Sequence, residues 1–227
     1  MEPDKTSSLT VALISVLLGI GAGFGGSVLI ANQLIPTTPV ASQADAYTKA
    51  ANLRVELNTV FSAHAGLSAR LTRATLDGAP YLDLASASLD ENSSDLQKLL
   101  ADDYGEDKAK QVRVAWDTYT KSIRTYAEAI KGGDQTAITA KASELNTNIE
   151  KVIGSLAELN PQLSKANLKK HLDEHIGLVK SVADAYRAGE YAKSFEREKA
   201  DVGKLGQLAD QLAQGAISQF NDKYKEK

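Results

Sequence analysis

After Ala44, apolar side chains recur at alternating steps of three and four almost to the end of the chain, and no stretch alternates apolar and polar residues with a period of two. That pattern builds amphipathic helices and leaves no material for a sheet. The first seam is Leu53, Leu57, Val60, His64, Leu67, Leu71 and Ala74, on a helix expected from about Ala44 to Leu76. Asp77-Gly78-Ala79-Pro80 turns the chain into a second helix carrying Leu82, Ala85, Leu89, Asn92, Leu96 and Leu99, which stops at Tyr104-Gly105. A third carries Val112, Trp116, Tyr119, Ile123, Tyr126 and Ile130. Gly132-Gly133 closes it, and Asp134 is placed to cap the next. The fourth carries Ile138, Ala142, Leu145, Ile149, Val152, Leu156 and Leu159 up to Asn160-Pro161, and Ser164 can cap the fifth. The fifth carries Leu168, His171, His175, Leu178, Val182 and Ala185. Beyond Gly189 the sixth seam reads Tyr191, Phe195, Val202, Leu205, Ala209, Leu212 and Ala216, and the polar residues 221–227 are expected to fray.

Short turns between long helices predict antiparallel neighbours. They also expose a repeat. His64, Tyr119 and His175 precede the turn glycines Gly78, Gly133 and Gly189 at one and the same separation, about four helical turns. The steps from His64 to Tyr119 and from Tyr119 to His175 are nearly equal, and Leu67 and Leu178 match one turn further on. The bundle at 44–220 is therefore expected to consist of three helical hairpins, 50–105, 106–160 and 161–220.

The N-terminus is different. Residues 6–44 carry no charge, and Leu9 to Ala31 is a nearly continuous apolar run. A bilayer core of ~30 Å needs about 20 helical residues, so 9–31 reads as a transmembrane anchor. Residues 1–8 then form a short cytoplasmic tail and 32–43 a Pro/Thr/Ser linker. Ala41 and Ala44 keep a cleavable leader as the alternative. Lys5 precedes the run and no basic residue follows before Lys49, which puts the N-terminus in the cytoplasm and the bundle outside a single-pass cell membrane. Small residues at Ser15, Gly19, Gly23 and Ser27 line one face of the run, where a homodimer could form. The fold class expected is thus all-α, a transmembrane helix followed by an up-down bundle of about six helices.

Composition removes several kinds of function. The net charge of −3 argues against nucleic acid as a partner. The absence of cysteine excludes disulfides, thiolate metal sites and cysteine nucleophiles, and the only methionine is Met1. Beyond residue 43 the basic and acidic side chains nearly balance, as expected of a solvated surface with scattered ion pairs.

All three histidines, His64, His171 and His175, fall on core-facing seams. Stacked hairpins would bring His64, Tyr119 and His175 to one height, with His171 one turn away. Two readings follow. One is a transition-metal or haem site with His64, His171, His175 and Tyr119 as ligands. The other is a polar layer in which imidazoles and phenol satisfy one another. His171-Leu-Asp-Glu174-His175 also matches the H-x-x-E-H pattern of inverted zinc peptidases. The rest of the chain beyond His175 reads as one helix, without the domain such an enzyme needs.

The layout Leu53-Arg54 to Leu57-Asn58, His64 to Leu67, Trp116 to Tyr119 and His175 to Leu178 resembles exported bacterial all-helical domains of uncharacterised function, over roughly residues 50–200. That family pattern carries an acidic residue before the first histidine and a histidine at the second site. Ala63 and Tyr119 depart from it here. At the level of architecture the chain is also similar to the ligand-sensing four-helix bundles of bacterial receptors. The function expected from all of this is a membrane-anchored, extracytoplasmic, non-enzymatic module that binds a protein or envelope partner and has no resident cofactor. The alternative is the metal- or haem-binding domain.

Overall fold

A computed structural model describes residues 48–225. Among them lie seven helices: α1 Lys49–Asp77, α2 Leu82–Tyr104, α3 Glu106–Gly132, α4 Gln135–Leu159, α5 Lys165–Arg187, α6 Tyr191–Gln219 and the single turn α7 Asn221–Tyr224. Local signals set most of the boundaries. Thr48 Oγ1 accepts from Ala51 N, Asp134 from Thr136 N and Ser164 from Asn167 N, each relieving a first-turn amide that has no helical partner. At the other ends, Gly78, Gly133 and Gly189 take φ of 65°, 76° and 77°, where a β-carbon would be strained.

The three helices α1, α3 and α5 pack against one another in the middle. Each of the others lies in an outer groove: α2 against α1 and α3, α4 against α3 and α5, α6 against α5 and α1. The last hairpin thereby closes on the first, and the six long helices form a ring with approximate threefold symmetry. Buried side chains follow it: Leu57, Val112 and Leu168 occupy equivalent places, as do Phe61, Trp116 and Leu172. These inner positions recur because each inner helix meets the other two along the same face. The hairpins are nearly equal in length, so that face returns in register.

Both ends of the ring are tied. At the glycine-turn end, Lys131 Nζ donates to Thr75 O at 3.2 Å and Arg187 Nη1 to Lys131 O at 2.8 Å. Each cation caps the C-terminus of the inner helix before it. Tyr186 donates to Asp77 at 2.7 Å and completes the triangle from α5 to α1. At the opposite end Asn160 Nδ2 donates to Tyr104 OH at 2.8 Å, and Lys223 and Tyr224 of α7 hold Asp103.

Three expectations change. Among the described residues no helix is long and apolar enough to cross a membrane. The described helices therefore do not support the expected membrane-anchored fold, the membrane as a partner through a spanning segment, or the single-pass topology. The run 9–31, with Ser15, Gly19, Gly23 and Ser27 on its small-residue face, lies outside the described residues. Second, residues 221–224 form a helical turn where fraying was expected, held by the Asp103 contacts. Third, the start of the sixth seam is rotated. Tyr191 and Phe195 are 56% and 57% exposed, while Ser194 and Asp201 face inward. Phe195 instead lies under the Arg73 guanidinium, 3.9 Å from its ring centroid, a cation–π contact that needs no burial.

Candidate functional site

The three inner helices meet at His64 on α1, Tyr119 on α3 and His175 on α5. Their rings form a nearly equilateral triangle, with centroid separations of 5.9 Å for His64–Tyr119, 5.5 Å for His64–His175 and 5.7 Å for Tyr119–His175. All three are fully buried. The nearly equal steps along the chain thus bring these side chains to one level, on the local symmetry axis of the ring.

An aspartate completes the arrangement. Asp201, on α6 and 2% exposed, lies with its oxygens 2.7 and 2.9 Å from His175 Nδ1. The Tyr119 hydroxyl bonds His175 Nε2. Burial first, and the Asp201 charge second, push the Tyr119 phenol well above its usual range, so it keeps its proton. That proton goes to Nε2, and His175 then donates from Nδ1 to Asp201. Tyr119, His175 and Asp201 form one directed relay across α3, α5 and α6. A repeat signal marks Asp201, although the apolar seam passes over it. One repeat step back stands Leu145, and one more Leu89, both buried. Only the third hairpin replaces that leucine with a carboxylate, and only there does an imidazole face it.

His64 is less well provided. Its Nε2 lies 3.3 Å from the Ser68 hydroxyl, while Nδ1 has no protein partner. Asn92 of α2 stands beside it, with its Nδ2 donating to Val60 O at 2.9 Å and its Oδ1 unpaired. Burial, and then any positive charge on His175, hold the His64 pKa well below the ordinary imidazole range, and the Asn92 carboxamide opposes them. Trp116 packs edge-on to His64 at 4.8 Å.

No metal centre forms from these groups. Among the described residues no three His, Asp or Glu side chains are gathered to hold a metal ion. Both ring nitrogens of His175 are engaged by Tyr119 and Asp201. His171 is only partly buried and sits in the fields of Glu174, Lys170 and Lys204. The metal or haem site expected of His64, His171, His175 and Tyr119 is therefore corrected to a polar layer. The order carboxylate–imidazole–hydroxyl is that of a hydrolase triad, but its last member is a phenol held protonated and sealed in the core. The wider clefts lie elsewhere. One of about 500 Å³ lies among α1, α2 and α7, one of about 490 Å³ between α4 and α5, and one of about 470 Å³ along α2 and α3, and none is lined by Tyr119, His175 or Asp201.

Compared with family models, with curated proteins and with solved structures, the chain matches none.

Proposed function

We propose that residues 48–225 form a non-enzymatic helical scaffold, in which the Tyr119–His175–Asp201 relay fixes how the three hairpins dock. The observation that supports it is the complete burial and mutual engagement of these three groups. A catalytic group has to meet its substrate, and a relay without a solvent-facing member has nothing to offer one. What a buried, fully bonded polar set does is penalise every other register, because any slip leaves a carboxylate or imidazole unpaired in the core. Whatever residues 48–225 contact, they contact through their outer helix faces.

Chemical labelling of histidines in the native protein tests this. Diethyl pyrocarbonate, read by mass spectrometry, is expected to modify His171 and to leave His64 and His175 protected until the protein unfolds. Native modification of His175 as fast as that of His171 would show solvent reaching the relay and would overturn the scaffold reading.

A further inference from the structure

Of the three seams between neighbouring hairpins, α2–α3 and α4–α5 carry open clefts, and these two repeat each other on their surfaces as well as in their cores. The same step that leads from Tyr119 to His175 carries Arg113 to Lys169, Asp117 to Asp173 and Arg124 to Lys180. The contacts repeat too. Arg113 pairs with Asp117 at 3.0 Å and Lys169 with Asp173 at 3.1 Å. Arg113 also reaches Ser94 on α2, and Lys169 reaches Glu150 on α4, two positions related by that same step. Arg124 bonds Ser86 across the first seam, and Lys180 bonds Asn146 across the second.

Core positions repeat because the fold demands it. Surface ion pairs stabilise little, so packing gives no reason to keep a cation, an acid and a second cation in the same order. The third seam is the control. There the step that leads back from Tyr119 to His64 carries Arg113, Asp117 and Arg124 to Asn58, Ser62 and Ala69, without a charge. That seam is also shut: Asn58 Nδ2 bonds Asp210 across it at 3.0 Å, and a β-carbon on Gly206 would lie 3.2 Å from Asn58 Oδ1. The charge pattern occurs where the cleft is open and is missing where it is closed.

We propose that the α2–α3 and α4–α5 clefts are twin binding sites for short peptides with free termini. Volumes of about 470 and 490 Å³ suit a ligand of that size. In each cleft the acid, Asp117 or Asp173, lines the same wall as the cation two turns on, Arg124 or Lys180. Two helical turns rise roughly 10 Å. A free amino acid is too short to bridge that span, whereas three extended residues cover about 10 Å. The ammonium end joins the acid beside its present partner, Arg113 or Lys169, and the carboxylate end meets the cation, which in the α2–α3 cleft exchanges its 3.0 Å pair with Glu128 for the ligand, so charge complements charge at both termini. Hydroxyls and amides of the outer helix, Ser86 in one cleft and Ser143 and Asn146 in the other, face the peptide groups between.

The test is an amide NMR titration of the full chain with tri-alanine, beside the same peptide acetylated and amidated. Free tri-alanine is expected to give saturable shifts at both clefts, and the blocked peptide to bind about tenfold more weakly or worse. Lys180→Gln should silence the α4–α5 cleft alone and Arg124→Gln the α2–α3 cleft alone, with melting unchanged in both. No saturable shift, shifts elsewhere, or equal binding of the blocked peptide would overturn the proposal. None of these outcomes bears on the burial of His175.

Discussion

His64 and His175 hold equivalent places on two inner helices, both fully buried, yet they are treated differently. His175 has a partner on each ring nitrogen and a carboxylate within 2.7 Å. His64 has one hydroxyl at 3.3 Å and an unpartnered Nδ1. A buried polar group costs little when its hydrogen bonds are made and far more when they are not. The His175 side therefore specifies the structure, and the His64 side is where it is most easily disturbed. Local symmetry gives the two imidazoles the same position. The outer helices distinguish them, with α6 supplying a carboxylate and α2 a carboxamide.

Three changes probe that contrast. Asp201→Ala leaves His175 Nδ1 without its acceptor in the core, and a loss of about 1–3 kcal/mol in unfolding free energy is expected from urea denaturation. Acid comes next and acts through His64. Its folded pKa is lowered, so the unfolded chain binds the proton first. Stability is full above about pH 6.5, the unfolded imidazole value, and falls as pH drops toward the depressed folded value. The slope from this group reaches about 1.4 kcal/mol per pH unit. In His64→Leu that part of the pH dependence should vanish from the urea midpoints; an unchanged profile would place the acid response elsewhere. The smallest change is Asn92→Ala, which removes the bond to Val60 O and should cost about 1 kcal/mol. It also removes the carboxamide that supports a proton on His64, so the acid loss should continue to lower pH. Melting followed across pH checks both effects.

Much of this architecture is legible in the sequence. Six seams with glycine, proline and capping residues between them mark six helices, because step-three-and-four periodicity and turn chemistry are local. The level of His64, Tyr119 and His175 is legible too, since it follows from counting back to three turn glycines. Asp201 is not, as an acidic residue inside an apolar seam reads as solvated unless it is aligned with Leu89 and Leu145. The rotation of α6 is hidden for a related reason. Tyr191 and Phe195 are apolar at the right spacing, and Arg73, far back on α1, supplies the contact that keeps Phe195 at the surface. The alternative of a metal or haem site gives way at the second nitrogen of His175, which Asp201 engages. Spacing says which residues meet, but not which lone pairs remain free once they do.

The relay itself is tested most directly by comparing Asp201→Leu alone with the triple variant Tyr119→Phe, His175→Leu, Asp201→Leu. The single change orphans a buried imidazole, while the triple change restores the leucine of the other two hairpins and removes every polar group of the set. The expected result in urea denaturation is a loss of about 1–3 kcal/mol for the single variant, and recovery of most of it in the triple variant. A triple variant as unstable as the single one, or a single variant as stable as the native protein, would contradict a sealed and purely structural relay.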